Sequence, residues 1–254
     1  MKTILRMWVV LLLVAPAYAD VWDGYDDLPD KARDLTQGSD EAHDLAARPG
    51  PFADADWSRV PQEANSSYEV TIDGVASQAN PIELTRFDAS GSTLLQTAAA
   101  PNAVGGTSRV LEWKNGSSAV FGMIRVQGAA CGATCGKDAV YRIRAVETTI
   151  AVPRFYNVGT QSTTLLIQNT RPTSRSVTVY FRSSGGTLLS ASTSTFSIAA
   201  NGLVVLNTSV AAPNSLGSIT IAHDAGYGGL AVKATTTDTA TGSTYDTLGT
   251  YKPR

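Results

Sequence analysis

Histidine and cysteine are nearly missing from this chain, at two each in 254 residues. With His43 and His223 as the only imidazoles and Cys131 and Cys135 as the only thiols, neither a His-Glu-x-x-His helix nor a paired Cys-x-x-Cys zinc site is available. The Gly-x-Ser-x-Gly elbow, the phosphate loop and the dinucleotide glycine fingerprint are also missing. A Ser-His-Asp site built from distant residues would need one of the two histidines. Both stand beside acids, His43-Asp44 and His223-Asp224, where local polar contacts suit them better than general-base work. No enzymatic activity is expected.

Clustered Lys and Arg are missing too, which argues against nucleic acid as a partner, since phosphate binding needs such clusters. Long apolar runs are confined to the first residues. Lys2 and Arg6, then Met7 to Val14, then Ala17-Tyr18-Ala19 compose a positive, an apolar and a small-residue cleavage segment, the pattern of a secretory signal over residues 1–19. The apolar part is shorter than the roughly 20 residues a membrane span requires, so the mature chain is expected to begin near Asp20 and to carry no transmembrane segment. Its destination is the periplasm or the exterior. No Cys stands directly after the cleavage motif, so no lipid anchor is expected.

The charges are few and uneven. Residues 20–60 hold Asp20, Asp23, Asp26, Asp27, Asp30, Asp34, Asp40, Glu41, Asp44, Asp54 and Asp56 against Lys31, Arg33, Arg48 and Arg59. Such a leader either stays solvated, lies against the slightly basic remainder, or holds a cation.

Amphipathic helices of useful length are absent; what is present alternates with period two. Tyr68, Val70 and Ile72 oppose Glu69, Thr71 and Asp73, and Tyr141, Ile143 and Ala145 oppose Arg142 and Arg144. Val120, Ile124 and Val126 share a face around Gly122. Beyond residue 150 the habit continues through Leu165 and Ile167, Val177 to Phe181, Leu203 to Leu206, Ile219 with Ile221, and Leu230 to Ala234. Turn clusters separate these runs every 8 to 12 residues or so, the spacing of an immunoglobulin-like sandwich. Half-buried strands need a second layer, and an all-β chain of two consecutive β-sandwich domains supplies it.

One motif occurs twice. Arg86-Phe87-Asp88-Ala89-Ser90-Gly91-Ser92-Thr93-Leu94-Leu95 returns as Tyr180-Phe181-Arg182-Ser183-Ser184-Gly185-Gly186-Thr187-Leu188-Leu189. Each reads as a hairpin whose turn uses a positive φ at Gly91 and Gly185. Val110-Leu111 with Val205-Leu206, and Gly122 to Val126 with Gly217 to Ile221, extend the likeness at an offset of 94 to 95 residues. Either a duplicated sandwich or two unrelated sandwiches with the same turn chemistry would produce it. The division falls near Ile150 to Arg154, with Pro153 closing the first strand ladder.

Cys131 and Cys135 sit in Gly128-Ala129-Ala130-Cys131-Gly132-Ala133-Thr134-Cys135-Gly136, an insertion the second half lacks. In an exported chain a disulfide across a hairpin tip is the expected state, contributing about 2 kcal/mol at most for so small a loop. A redox or metal role finds no further thiol or nearby imidazole to complete it.

The acidic opening before Ala32-Arg33-Asp34-Leu35-Thr36, the run Gly38 to Leu45, and Asp54-Ala55-Asp56-Trp57 ahead of the Tyr68-Glu69-Val70-Thr71-Ile72 strand resemble the bacterial pre-peptidase C-terminal domain. The hairpin Leu84 to Leu95 and the final strand Tyr141 to Val146 complete the resemblance. It implies residues 20–57 as an acidic leader and first-strand region, 58–150 as a jelly-roll-like body, and a module without activity of its own that accompanies hydrolases. The remainder, 151–254, resembles the immunoglobulin-like C-terminal domains of exported bacterial proteins. Relatives of the first module bind collagen or polysaccharide and take up calcium through acids near the domain start. The resemblance therefore implies Ca²⁺ as the one candidate cofactor, with Asp54 and Asp56, and by acidic character Asp23, Asp26 and Asp27, as ligands. In departure from the family, no protease or other catalytic domain is expected ahead of this module. Trp57, Trp113, Tyr156 and Tyr227 form a ligand platform if exposed and core if buried. The expectation is a secreted, non-catalytic binding or accessory protein for an extracellular polysaccharide, envelope component or protein; a structural subunit pairing through edge strands, and a hydrolase with a cryptic site, are the alternatives.

Overall fold

The computed structural model describes residues 26–45, 55–73, 82–98, 108–128 and 140–252. The expected signal segment, Asp23, Asp54, Cys131 and Cys135 lie outside these residues, and so do the calcium and disulfide expectations that rest on them.

Alternating side chains build the first sandwich from β1 (Arg33–Asp34), β2 (Glu41–Asp44), β3 (Ala55–Gln62), β4 (Ser67–Asp73), β5 (Ile82–Phe87), β6 (Leu94–Thr97), β7 (Arg109–Lys114), β8 (Val120–Gly128) and β9 (Val140–Glu147). One sheet runs β1-β3-β8-β5-β6 and the other β2-β9-β4-β7. Between them lie Val60, Tyr68, Val70, Ile72, Leu84, Leu111, Trp113, Ile124, Val126 and Ile143, all buried. Each such side chain contributes about 1.5–3 kcal/mol on leaving water, and this holds the two layers together. The outer side of the first sheet is covered as well. Ala32, which follows the short 3-10 turn Pro29–Lys31, buries with Trp57, Phe87 and Met123, and the Trp57 amide donates to the Asp26 carbonyl at 2.8 Å.

The second sandwich holds β10 (Ile150–Tyr156), β11 (Gln161–Asn169), β12 (Arg175–Ser183), β13 (Ser194–Ile198), β14 (Leu203–Asn207), β15 (Leu216–His223), β16 (Leu230–Asp238), β17 (Thr244–Leu248) and β18 (Thr250–Tyr251). A single helical turn, α1 (Thr208–Ala211), follows β14 with Asn207 as its cap. The sheets run β13-β12-β15-β10-β18 and β14-β11-β16-β17. Phe155, Leu165, Ile167, Val177, Val179, Phe181, Ile219 and Ile221 fill the space between them. The expectation of an all-β chain of two consecutive sandwiches is met.

Seven strands of the second sandwich repeat seven of the first in order. β3-β8-β5-β6 corresponds to β10-β15-β12-β13, and β9-β4-β7 to β16-β11-β14. Val70 pairs with Leu111 and Ala145, as Leu165 pairs with Leu206 and Ala234; Leu84 pairs with Val126, as Val179 pairs with Ile221. Every one of these pairs except the last-strand alanines keeps an offset of 95 residues (Val70 to Leu165, Leu111 to Leu206, Val126 to Ile221). Strand order and register thus agree between the two halves, beyond their shared turn chemistry.

Register also corrects the hairpin alignment. Gly91 donates to the Asp88 carbonyl and Gly186 to that of Ser183, so the positive φ falls on Gly91 and Gly186, at 73° and 82°, and not on Gly185. Both glycines close a tight turn from the left-handed region, which L side chains avoid. Pro153 does not close a strand. It sits inside β10, where the pairing with β15 shifts between Val152 and Phe155, because a residue without an N–H fits a bulge. Among the described residues no helix is long and apolar enough to cross a membrane.

Candidate functional site

The structure scatters the residues the sequence singles out. Trp57 is buried in the outer cluster with Phe87, their rings 5.0 Å apart, and Trp113 is buried in the core, stacked on Tyr68 at 5.8 Å and donating through Nε1 to Gln62. Neither presents a face to solvent, so neither belongs to a platform; both sheets of the first sandwich are covered where these rings point. Asp56 is also buried, and the Tyr141 hydroxyl donates to its Oδ2 at 2.5 Å. Asp26 is buried beside the Trp57 main chain and Asp27 is half-buried. Among the described residues no three His, Cys, Asp or Glu side chains gather as metal ligands.

The two histidines are built into the framework. His43 is buried, stacks on Tyr141 at 5.5 Å, and lies 3.9 Å from Glu41 Oε2. His223 is fully buried at the end of β15: its Nδ1 accepts from the Ala225 amide at 3.2 Å, so Nε2 carries the proton and donates to the Thr148 carbonyl at 2.7 Å. Burial, with the nearby Arg175, Arg171 and Lys114, pushes its pKa down to about 4 against one hydrogen bond that holds it up. A ring with both nitrogens engaged ties the connection between the sandwiches to β15.

His223 is one part of a polar seam that the sequence conceals. Glu69 and Glu112 sit directly opposite each other on β4 and β7, on the outer side of their sheet. Like charges in that relation repel unless a third group answers them. Here the second sandwich answers. Arg175 Nη1 lies 2.8 Å from Glu112 Oε2, Arg171 Nη2 lies 3.5 Å from Glu112 Oε1, and the Tyr227 amide donates to Glu69 Oε2 at 2.9 Å. Lys114 Nζ donates to Ser176 at 2.7 Å and Thr178 at 3.1 Å, and Lys252 reaches Glu147 at 2.6 Å. Tyr227 packs against Tyr251 within this seam, ring centres 4.7 Å apart and tilted by 34°, and forms no platform with Tyr156. Burial raises the Glu112 pKa and Glu69 adds to the rise, while the two arginines oppose it. Gly226 lets the backbone close over the acids: its φ is 67°, and a Cβ there would collide with the Glu112 carboxylate. Arg175→Met leaves two facing carboxylates without their nearest countercharge, and is expected to cost about 2 kcal/mol. Differential scanning calorimetry reads this as a single transition that broadens or splits into two; an unchanged transition would mean the seam does not couple the sandwiches.

An open groove of about 510 Å³ lies at one end of the second sandwich, lined among others by Arg154, Tyr156, Ser183, Ser184 and Ser218. The Pro153 bulge turns Arg154 to this side, where its guanidinium stands 5.4 Å from the Tyr156 ring centre. Arg182 donates to the Gly186 carbonyl at 3.2 Å and holds the bordering turn. Among the described residues no acid lines the groove. In the first sandwich β3 and β8 pair without a shift from Ala55 to Gln62, and Pro61 stands where Tyr156 does, so this combination belongs to the second half alone. Tyr156 is the predicted aromatic that reaches an open surface among hydroxyls.

No protein-family model matches this chain, and no curated protein matches it. Among solved structures it has a weak likeness to Bacteroides uniformis beta-glucuronidase 2 covalently bound to cyclophellitol-6-carboxylate aziridine, at 12% identity, a TM-score of 0.22, and 78% of this chain against 26% of that one. Bacteroides uniformis beta-glucuronidase gives the same values. The chain thus spans about a quarter of the length of those enzymes. A likeness this weak carries nothing about the fold or the activity of this chain.

Proposed function

We propose that the protein is an exported, non-catalytic binding module that holds an extracellular polysaccharide in the Arg154–Tyr156 groove of its second sandwich. The observation that carries the reading is that groove: an aromatic face beside a guanidinium, rimmed by serine hydroxyls, without any acid among the described residues. Sugar rings offer C–H faces that pack on an aromatic ring and hydroxyls that exchange hydrogen bonds with Ser and Arg, and the uncompensated guanidinium favours chains that carry carboxylates. The signal-like N-terminus and the missing catalytic motifs support export and the lack of chemistry.

The test is retention of the purified mature protein on insoluble glycans, peptidoglycan sacculi and collagen, comparing the wild type with Tyr156→Ala and Arg154→Ala. The wild type is expected to bind at least one saccharide polymer, and Tyr156→Ala to weaken that binding roughly tenfold, the loss of one aromatic contact of 1–2 kcal/mol. Retention on nothing ends the reading. Retention that both variants keep in full places the ligand elsewhere.

A further inference from the structure

The face that the first sandwich spends on the seam has a counterpart in the second. Register equates Glu69 and Glu112 with Thr164 and Asn207, and Thr71 and Val110 with Leu166 and Val205. In the first sandwich this β4–β7 surface is covered by Arg171, Arg175 and Tyr227. In the second, the matching β11–β14 surface is exposed: Leu203 is 56% and Val205 60% accessible, and Leu248 beyond them 67%. The acids that drew an arginine-bearing partner are gone, so an equivalent charged neighbour has nothing to hold.

What replaces them is an absence of charge. From Ser183 to Ala222 the chain carries no Asp, Glu, Lys, Arg or His, and this run includes both β13 and β14, the strands that end the two sheets on one side of the sandwich. Edge strands of monomers are ordinarily guarded by charge, proline or a bulge. β14 has none of these: its five residues pair with β11 in unbroken register and with no other described strand. Farther across that face Lys233 and Asp246 pair with each other at 2.7 Å.

We infer that β14 is an assembly edge, and that its occupant is β14 of a second copy of this chain, paired antiparallel about a two-fold axis. Centred on Val205, such pairing sets Val205 against its own symmetry mate and Leu203 against Asn207 of the copy, so that no like charges meet. The unmade N–H and C=O groups of both edges are satisfied at once, and the two four-stranded sheets join into one. A two-fold pair sets the strand against its own reverse, and an uncharged strand meets no like charge there, so a second copy fits this edge. The inference is independent of the groove, which lies at the end of the sandwich lined by Tyr156 and Ser183.

Sedimentation equilibrium of the mature protein, from micromolar to hundreds of micromolar, tests it. The wild type is expected to show a monomer–dimer equilibrium. Val205→Lys, which places two like charges at the two-fold axis on an already exposed position, is expected to weaken it by at least about tenfold. Leu248→Lys, at the opposite edge of the same sheet, is expected to leave it within a factor of about two, because a residue outside the contact contributes little. Far-UV circular dichroism and the melting temperature of both variants should match the wild type. A wild type that stays monomeric overturns the proposal, and so does a dimer that survives Val205→Lys. Loss of the dimer in Leu248→Lys would mean face-to-face stacking in place of edge pairing, and would overturn it too.

Discussion

Phe181→Ala is expected to lower the stability of the protein by about 3–5 kcal/mol, read as a reduced midpoint in urea. Phe181 has no solvent exposure and meets Phe155 edge-on, with ring centres 5.2 Å apart, in the middle of the second core. Truncating it removes the transfer energy of a whole ring and leaves a cavity bounded by Val152, Ile219 and their neighbours, which β-ladders on both sides prevent from collapsing. Against a total of some 5–15 kcal/mol, the loss takes the sandwich to the margin. The corresponding position in the first sandwich is Arg86, whose guanidinium lies 5.0 Å from the centre of the Trp113 ring. The two cores are thus filled by different means, and a change at Phe181 is local to the second. A loss below about 1 kcal/mol would contradict the packing described.

The second large effect is a dependence on pH that runs through His223. In the unfolded chain a histidine titrates near 6.5, and in the folded protein His223 titrates near 4, so its contribution is fully present above 6.5. Between these values the unfolded chain binds a proton that the native protein refuses. Stability therefore falls with falling pH, by as much as about 1.4 kcal/mol per unit and roughly 3 kcal/mol in all. Glu112 works with the opposite sign: its carboxyl is raised above the usual range, so its contribution is present at low pH and fades as pH rises through its folded value. Comparing the wild type with His223→Gln cancels that background. The variant is expected to be less stable at pH 7.5, having lost one of two hydrogen bonds, and to lose less on acidification to pH 4.5. Parallel curves for the two proteins would show that the imidazole is charged, or exposed, in the native state.

Much of this fold is legible in the residues because a sheet with one covered side writes its period into the chain. Tyr68, Val70 and Ile72, or Val177, Val179 and Phe181, announce their side by alternation, and the repeated hairpin announces that the two halves are built alike. The same rule hides the seam. A polar residue on the open side of a strand reads as solvated, and period two does not distinguish water from a second domain, so Glu69 and Glu112 pass for surface acids although both are largely enclosed. Two carboxylates directly opposite on neighbouring strands were the available sign, but it appears only once the register of β4 against β7 is known. Trp57 misleads for a related reason: it lies on the outer side of β3, which Ala32 and Phe87 cover from distant parts of the chain. Tyr156 becomes conspicuous only with the bulge at Pro153, since unbroken alternation from Ile150 and Val152 would turn Arg154 and Tyr156 together toward the core.

Amide chemical-shift mapping of isotope-labelled protein, titrated with a soluble oligosaccharide of whichever polymer retains it, asks most directly where the ligand sits. Saturable shifts confined to Arg154, Tyr156, Ser183, Ser184 and Ser218, with the first sandwich silent, are the expected result. Shifts centred on the first sandwich or the seam, or none at saturating ligand, would contradict it.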